Sequence, residues 1–229
     1  MVEKEETPTM AGSHSIMFLS RLEQVLKGPL PGPAAHRRMA PSDRDVGSAP
    51  KDHCPKRAGV LILLYPNQQR DQLYLLLTRR TETLPDHKGQ ISLPGGSQEP
   101  DDASLAHTAL REACEEVGVS PDDIRILGHL TPIYIPPSDF CVHPYVAYTP
   151  RAPSFLVQPD EVAELLQLPI VHLFDESNVR TERWIRKGRQ TEVPYFDVFG
   201  HKVWGATAVI LSELIEVLRS AGLSEKNPI

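Results

Sequence analysis

The sequence predicts an α/β protein in which a mixed sheet lies between helices, and three observations lead to this prediction. Residues 58–65 and 73–78 are nearly continuous apolar runs, which is typical of strands that are buried on both faces. Residues 105–117 and 207–221 carry apolar side chains at helical spacing. Further strand-like runs lie between these two segments, so strands and helices alternate along the chain. We therefore expect an α/β/α sandwich.

Shorter signals predict the remaining elements. An amphipathic helix is expected over residues 15–27, and a Pro-rich linker or strap follows up to residue 55. Within it, His36-Arg37-Arg38 is expected to be a solvated basic patch. Pro159-Asp160-Glu161 predicts a short helix over residues 162–167, and Gly188 predicts a hairpin turn. Strands are expected, in chain order, at residues 124–130, 142–148, 171–174 and 193–199. Residues 90–93 are expected to be a short extended entry to a glycine turn at Gly95-Gly96.

Length and composition indicate one domain with terminal extensions. The 229 residues are 40% hydrophobic and 24% charged, which is ordinary for a globular protein. We assign residues 1–55 to an N-terminal tail, short helix and linker, residues 56–222 to the domain, and residues 223–229 to a C-terminal tail. The net charge of −6 argues against a general nucleic-acid binder. Cys54, Cys114 and Cys141 have no metal or disulfide spacing, and no apolar run suits a signal peptide or membrane span. These features predict a cytoplasmic protein.

A helix with clustered carboxylates is the most informative segment of the chain. Glu112, Glu115 and Glu116 are spaced so that they share one helical face, while an apolar stripe runs along the opposite face. Asp101 or Asp102 is the expected N-cap, and Gly118 the expected residue after the last turn. Taken alone, the acidic face could simply be solvated. Its position after Pro94-Gly95-Gly96 also suits a site where a hard cation such as Mg²⁺ meets a phosphate.

These residues resemble the Nudix box, G-x5-E-x7-R-E-U-x-E-E-x-G-U, in which U is aliphatic. The matching residues are Gly96, Arg111, Glu112, Glu115, Glu116 and Gly118. Two features differ from the general form: the spacing from Gly96 to Arg111 is one residue longer, and Asp102 replaces the first Glu. The coenzyme A diphosphatase branch of the family shares both differences.

An upstream motif strengthens the resemblance to that branch, which carries L-L-T-x-R-S-x3-R-x3-G-x3-F-P-G-G. At the same spacing this chain has Leu76-Leu77-Thr78-Arg79-Arg80-Thr81, then Gly89, then Leu93-Pro94-Gly95-Gly96. Thr81 replaces Ser, Leu93 replaces Phe, and Pro85 replaces the second Arg. The loss of that Arg keeps a different nucleotide substrate open as an alternative.

The resemblance implies a Nudix hydrolase domain and a set of site residues. It implies Mg²⁺ or Mn²⁺ bound by Glu112 and Glu116, with Glu115 at a second ion or acting through water, and with the Gly96 carbonyl completing the site. Arg111 is expected to hold a carboxylate in place. The general base is open between Glu112 and Glu161, because Asp160-Glu161-Val162 matches an acidic triplet of the branch, although acids are also common in a first helical turn.

The implied reaction is hydrolysis of coenzyme A or its thioesters to adenosine 3′,5′-bisphosphate and 4′-phosphopantetheine. The alternatives are another nucleoside diphosphate compound, such as NADH or ADP-ribose, and a non-catalytic binding module. The partner is thus a small-molecule diphosphate, which we expect to contact Gly95 and Gly96 and a cation among Arg79, Arg80 and Lys88. His87 and Lys88 could compensate for the Arg that is absent at position 85. The prediction includes neither nucleic acid nor membrane and leaves a homodimer open.

Overall fold

The central element is a mixed sheet, which has eight strands in the part of the chain that the computed structural model describes: residues 10–43, 53, 55–69, 72–83, 88–186 and 188–224. The strands are β1 Lys56–Pro66, β2 Leu73–Arg80, β3 Ile91–Ser92, β4 Gly95–Ser97, β5 Arg125–His129, β6 Ile133–Ile135, β7 Phe140–Tyr148 and β8 Val162–Pro169. β1 and β7 are parallel, and the other pairs in this sheet are antiparallel. A smaller antiparallel sheet contains β9 Val179–Arg186, β10 Arg189–Val198 and β11 His201–Trp204.

Helices cover both faces of the large sheet. They are α1 Met10–Lys27, α2 Pro33–His36, α3 Leu105–Val117 and α4 Gly205–Ser220. One core lies between the sheet and α3, where Ala109 and Ala113 pack with Leu61 and Leu63. The other core, which holds Ile62, Leu64 and side chains of α1 and α4, lies on the opposite face. The predicted mixed sheet between helices is confirmed. No helix in the described residues is long and apolar enough to cross a membrane.

Two predicted elements have the wrong type. Residues 162–167 form a strand, β8, because their backbone pairs with β2, and Leu166 and Leu168 are buried two positions apart on one face of the sheet. The segment expected to be a strand at residues 171–174 is instead a 3₁₀ turn, Ile170–Leu173, whose buried residues Ile170 and Leu173 are three positions apart. β9 was not predicted, whereas the Gly188 hairpin turn is confirmed, with a φ of 74°.

Residues 28–43, which follow α1, form a strap that is fastened to the domain. His36 is buried against Glu213 of α4, so the expectation of a solvated basic patch is wrong for this residue. Ser212 donates a hydrogen bond to the Ala35 carbonyl, and Ser42 pairs with the backbone of Glu192 in β10. The strap therefore links α4 and the smaller sheet, and α1 begins at Met10, earlier than predicted.

Candidate active site

The carboxylate helix, α3, packs directly on β1. A Cβ atom on Gly59 of β1 would lie 2.2 Å from the carbonyl oxygen of Leu105, so glycine permits this close approach. Ser104 caps the helix by accepting a hydrogen bond from the backbone of His107, so the predicted cap at Asp101 or Asp102 is wrong. Gly118 ends the helix in the left-handed conformation, with a φ of 70°, as predicted.

Asp102 is buried and holds Arg111. Its carboxylate accepts hydrogen bonds from Nε and Nη2 of Arg111, both at 3.1 Å, from the hydroxyl of Thr108 and from the backbone of Glu99. The imidazole of His107 lies 3.1 Å away. The Arg111 guanidinium, followed by the backbone bond from Glu99, keeps the pKa of Asp102 well below its usual range. Asp102 therefore anchors the arginine and does not begin the helix.

Arg111 connects this anchor to β4 and to two carboxylates of the helix. Nη2 donates to the Ser97 carbonyl at 3.1 Å and lies 3.1 Å from Glu112 Oε1, while Nη1 donates to Glu115 at 3.0 Å. The Glu115 side chain is 58% exposed, so this carboxylate lies at the outer edge of the site. The predicted structural role of Arg111 agrees with these contacts.

Glu116 lies inside the protein, at the end of the carboxylate cluster that faces β4. The residue is only 4% exposed and accepts a long hydrogen bond of 3.3 Å from the backbone of Gly95. Burial raises the pKa of Glu116 to about 8, against the opposing effect of Arg80, whose Nη1 is 3.9 Å away. A uniformly solvated acidic face is therefore the wrong interpretation for this residue.

Glu112 lies against the glycine backbone of β4. A Cβ atom built on Gly96 would be 2.5 Å from the carboxyl carbon and both carboxylate oxygens of Glu112. Burial raises the pKa of Glu112, and the charge of Arg111 opposes this rise. The segment predicted as a glycine turn is the short strand β4, in which Gly96 pairs with Gly59 of β1. Helix α3 packs closely on β1 at Gly59, and Gly59 pairs with Gly96 of β4, so Glu112 of α3 lies against Gly96.

Glu161 approaches the same carboxylates from outside the helix. Its charge contributes to the raised pKa values of both Glu112 and Glu116, which places all three groups within electrostatic range of one another. Glu161 lies in a turn that leads into β8, so the alternative explanation of an acid in a first helical turn is wrong.

The predicted cations occupy three different surroundings. Arg80 lies beside Glu116 and is 26% exposed, and its buried Nε has no hydrogen-bond partner among the described residues. Arg79 points to the opposite face of β2, where it donates to Glu164 at 3.0 Å. Lys88 is exposed in the turn before Gly89. Positions 85 and 87, on which the proposed compensation for the missing arginine also depends, lie outside the described residues.

The donor groups suit a hard divalent cation. Glu112 and Glu116 meet at the backbone of Gly95 and Gly96, and they share this region with the charge of Glu161. Such a concentration of carboxylate oxygens is what Mg²⁺ or Mn²⁺ requires, since a cation would offset the mutual repulsion. Within the described residues no three acidic, His or Cys side chains are already gathered as a metal site, and the Glu115 carboxylate is held by Arg111.

Sequence reasoning found the carboxylates but missed the residues that support them. Thr108 and Asp102 were not expected to bond to each other, although they lie six residues apart across the start of α3. The sequence motif shows Thr81 only as a replacement for Ser, whereas in the structure it contacts the turn that carries Glu161. The alternation of β2 was the one available signal that Arg79 and Arg80 face opposite ways.

Comparison with known proteins identifies relatives in sequence. Residues 55–188 match the family described as the NUDIX domain. The chain is 37% identical over 142 residues to an uncharacterised Nudix hydrolase, NudL, of Photorhabdus laumondii, and the match covers 62% of this chain and 75% of the relative. It is 36% identical over 183 residues to NudL of Pectobacterium atrosepticum, covering 77% and 87% of the two chains.

Two solved structures share the fold. A Nudix hydrolase of M. smegmatis, RenU, has a TM-score of 0.53 at 16% identity, and the match covers 80% of this chain and 98% of the other. The NUDIX domain of Shewanella oneidensis NrtR, complexed with ADP ribose, has a TM-score of 0.50 at 18% identity, with coverage of 75% and 94%. At these identities the likeness concerns the fold, and it confirms the predicted Nudix-type sandwich.

Proposed function

This chain belongs to the Nudix hydrolase family, and we propose that it is a diphosphatase that cleaves coenzyme A or its thioesters. Nudix hydrolases act on pyrophosphate bonds of nucleoside diphosphate derivatives and generally use divalent cations. Hydrolysis of coenzyme A between its two 5′-side phosphorus atoms would yield adenosine 3′,5′-bisphosphate and 4′-phosphopantetheine.

The observation that carries this proposal is the contact between the upstream motif and the Nudix box. Arg80, from the upstream motif, lies 3.9 Å from Glu116 of the box and leaves a buried Nε without a partner among the described residues. The Arg80 side chain is 26% exposed, so its guanidinium could donate a charge-assisted hydrogen bond to a phosphate oxygen of the substrate. The two motifs that together point to the coenzyme A branch thus lie at one site.

Each carboxylate has a proposed role that follows from its surroundings. Glu112, Glu116 and the Gly96 carbonyl would hold the cation, and Glu115, at the exposed edge, would act at a second ion or through water. When bound, Mg²⁺ or Mn²⁺ would neutralise part of the phosphate charge and would lower the pKa of bound water. Because Glu112 is already engaged by Arg111, we assign the general base to Glu161.

The same geometry suggests how coenzyme A is distinguished from related compounds. Arg79 is paired with Glu164 on the other face of β2, and Arg80 lies among the carboxylates, where it suits the diphosphate. The exposed Lys88 is then the candidate for contact with the 3′-phosphate of coenzyme A. A charge-assisted contact typically contributes about 1.5–3 kcal/mol, so dephospho-coenzyme A should have a roughly 10- to 100-fold lower kcat/KM.

A substrate panel with product identification tests the proposal. Coenzyme A, dephospho-coenzyme A, NADH and ADP-ribose are compared with Mg²⁺ and with Mn²⁺, and Glu116→Gln serves as the inactive control. Lys88→Ala should lower kcat/KM for coenzyme A and leave dephospho-coenzyme A unchanged. Faster cleavage of NADH or ADP-ribose, an alternative kept open by Pro85, would transfer the assignment to that substrate. A panel without any turnover would favour a binding module.

A further inference from the structure

The turn that carries Glu161 is fastened on one side to the C-terminal end of α3. The backbone N–H of Gln158 donates to the carbonyl of Glu116 at 2.9 Å, and the backbone N–H of Leu156 donates to the carbonyl of Val117 at 2.9 Å. The Gln158 carbonyl in turn accepts hydrogen bonds from the backbone of Glu161, at 3.1 Å, and of Val162. A proposed metal ligand and the proposed base are thus connected through one residue.

On its other side the turn is fastened by Thr81, which follows β2 and is only 8% exposed. The Thr81 hydroxyl donates to the carbonyl of Asp160 at 2.9 Å, and its backbone N–H donates to the carbonyl of Glu161 at 3.0 Å. The hydroxyl also lies 2.9 Å from that of Thr83.

These two bonds act on the two peptide groups that flank the Cα atom of Glu161. The Asp160 carbonyl belongs to the peptide group before Glu161, and the Glu161 carbonyl belongs to the one after it. Peptide groups are planar, so holding both of them limits φ and ψ of the residue between them. The direction of the Glu161 Cα–Cβ bond is set by those angles. Thr81 therefore constrains where the carboxylate can reach.

We propose that Thr81 is a positioning residue for Glu161, and that its hydroxyl keeps this carboxylate in the orientation needed for catalysis. This inference rests on the proposed function, in which Glu161 is the general base. It also gives the upstream motif a second role: Arg80 faces Glu116, and the next residue holds the turn that carries Glu161.

The test compares Thr81→Val, which removes the hydroxyl at similar shape, with Thr81→Ser, which retains it. Thr81→Val should lower kcat about 10- to 100-fold, as expected when a catalytic group is displaced, with little change in KM. Thr81→Ser should restore most of kcat. Ser212→Ala is the matched control, because it removes a buried hydroxyl that donates to a carbonyl, at 2.8 Å, in the strap. It should lower Tm and leave kcat unchanged.

A double variant separates positioning from general destabilisation. If Thr81 acts through Glu161, adding Thr81→Val to Glu161→Gln should lower kcat no further, since residues that act as a unit are not additive. A further loss of the same size would overturn the inference, as would wild-type kcat in Thr81→Val. Wild-type kcat in Glu161→Gln would instead reject the proposed base, so the two failures are distinguishable.

Discussion

At the scale of single residues, the charge of Glu116 is a cost to the folded protein without metal. Burial raises the pKa of Glu116 from 4.5 to about 8, so the folded state binds a proton more tightly than the unfolded state does. Stability therefore falls as pH rises between these two values, and the full cost is present above the folded pKa. Each unit of pKa corresponds to about 1.4 kcal/mol.

Glu116→Gln should therefore stabilise the metal-free protein in alkaline solution while it abolishes turnover. With a chelator present, the Tm of the variant should exceed that of the wild type at about pH 8.5 and match it at about pH 4.5. Added Mg²⁺ should raise the Tm of the wild type more than that of the variant, because a ligand stabilises the state that binds it. A wild type that is the more stable protein at high pH without metal would contradict this account.

The sequence predicts which residues form the site better than it predicts their hydrogen-bond and ion-pair partners. Helical spacing alone placed Glu112, Glu115 and Glu116 on one face, and Gly118 fitted a left-handed helix end. Spacing could not show that Asp102 turns inward to Arg111, since an acid just before a helix is also a good cap. The choice between the two depends on whether a partly buried cation such as Arg111 is available to the carboxylate, which is a property of the tertiary structure.

At the scale of elements, α3, β1 and β4 meet through a pair of glycines that should respond differently to substitution. Gly59 and Gly96 are register partners in β1 and β4. A Cβ atom on Gly59 would lie 2.2 Å from the backbone of Leu105, whereas one on Gly96 would meet the end of the Glu112 side chain at 2.5 Å. The backbone of a packed helix cannot move aside, but the end of a side chain can.

Gly59→Ala should therefore reduce stability, and Gly96→Ala should reduce activity. For Gly59→Ala we expect a loss of about 1–3 kcal/mol in the free energy of unfolding, typical of overpacking. Gly96→Ala should cost less stability but displace Glu112 and lower kcat strongly. Urea unfolding and steady-state kinetics on both variants check this. Equal losses of stability in the two variants would mean that α3 can shift away from β1.

The elements that were predicted with the wrong type show which information was missing. Residues 162–168 contain Leu at positions that suit either a short helix or an alternating strand, and β2 selects the strand by pairing with their backbone. β1 and β2, whose apolar runs are continuous, needed no such partner to be recognised. Sequence patterns therefore predicted the central strands β1 and β2 well and the edge strand β8 poorly.

At the scale of the whole molecule, the folded unit is larger than the segment that matches the family. The NUDIX match covers residues 55–188, but side chains of α1, of the strap and of α4 share the core on one face of the sheet. Leu22 and Met39 are fully buried there. The proline-rich composition of this segment suggested a linker or a strap, and the long-range contacts of Ala35, His36 and Ser42 favour the strap.

The buried contact between the strap and α4 should be worth measurable stability. Glu213 is fully buried and accepts hydrogen bonds from the backbones of Gly32 and Thr131 and from the Thr131 hydroxyl, while its Oε2 lies 2.8 Å from His36 Nε2. Burial alone would raise the pKa of Glu213, but the hydrogen bonds, led by that of His36, outweigh burial and lower it. The ionised carboxylate thus belongs to the folded state at neutral pH.

His36→Ala should lower the free energy of unfolding at pH 7 by about 1.5–3 kcal/mol, because it removes a hydrogen bond to a buried charge. Arg38→Ala is the matched control on the same strap, since it breaks a solvent-exposed pair with Glu176 that should contribute less than about 1 kcal/mol. At temperatures well below their Tm, both variants should have the kcat of the wild type, because neither residue touches the carboxylate site.

If urea unfolding finds His36→Ala no less stable than Arg38→Ala, the strap is attached to the domain without stabilising it. A loss of kcat at full stability would instead connect the strap to the active site through α4 and β3, which are joined by the hydrogen bond from Thr207 to the Ile91 carbonyl.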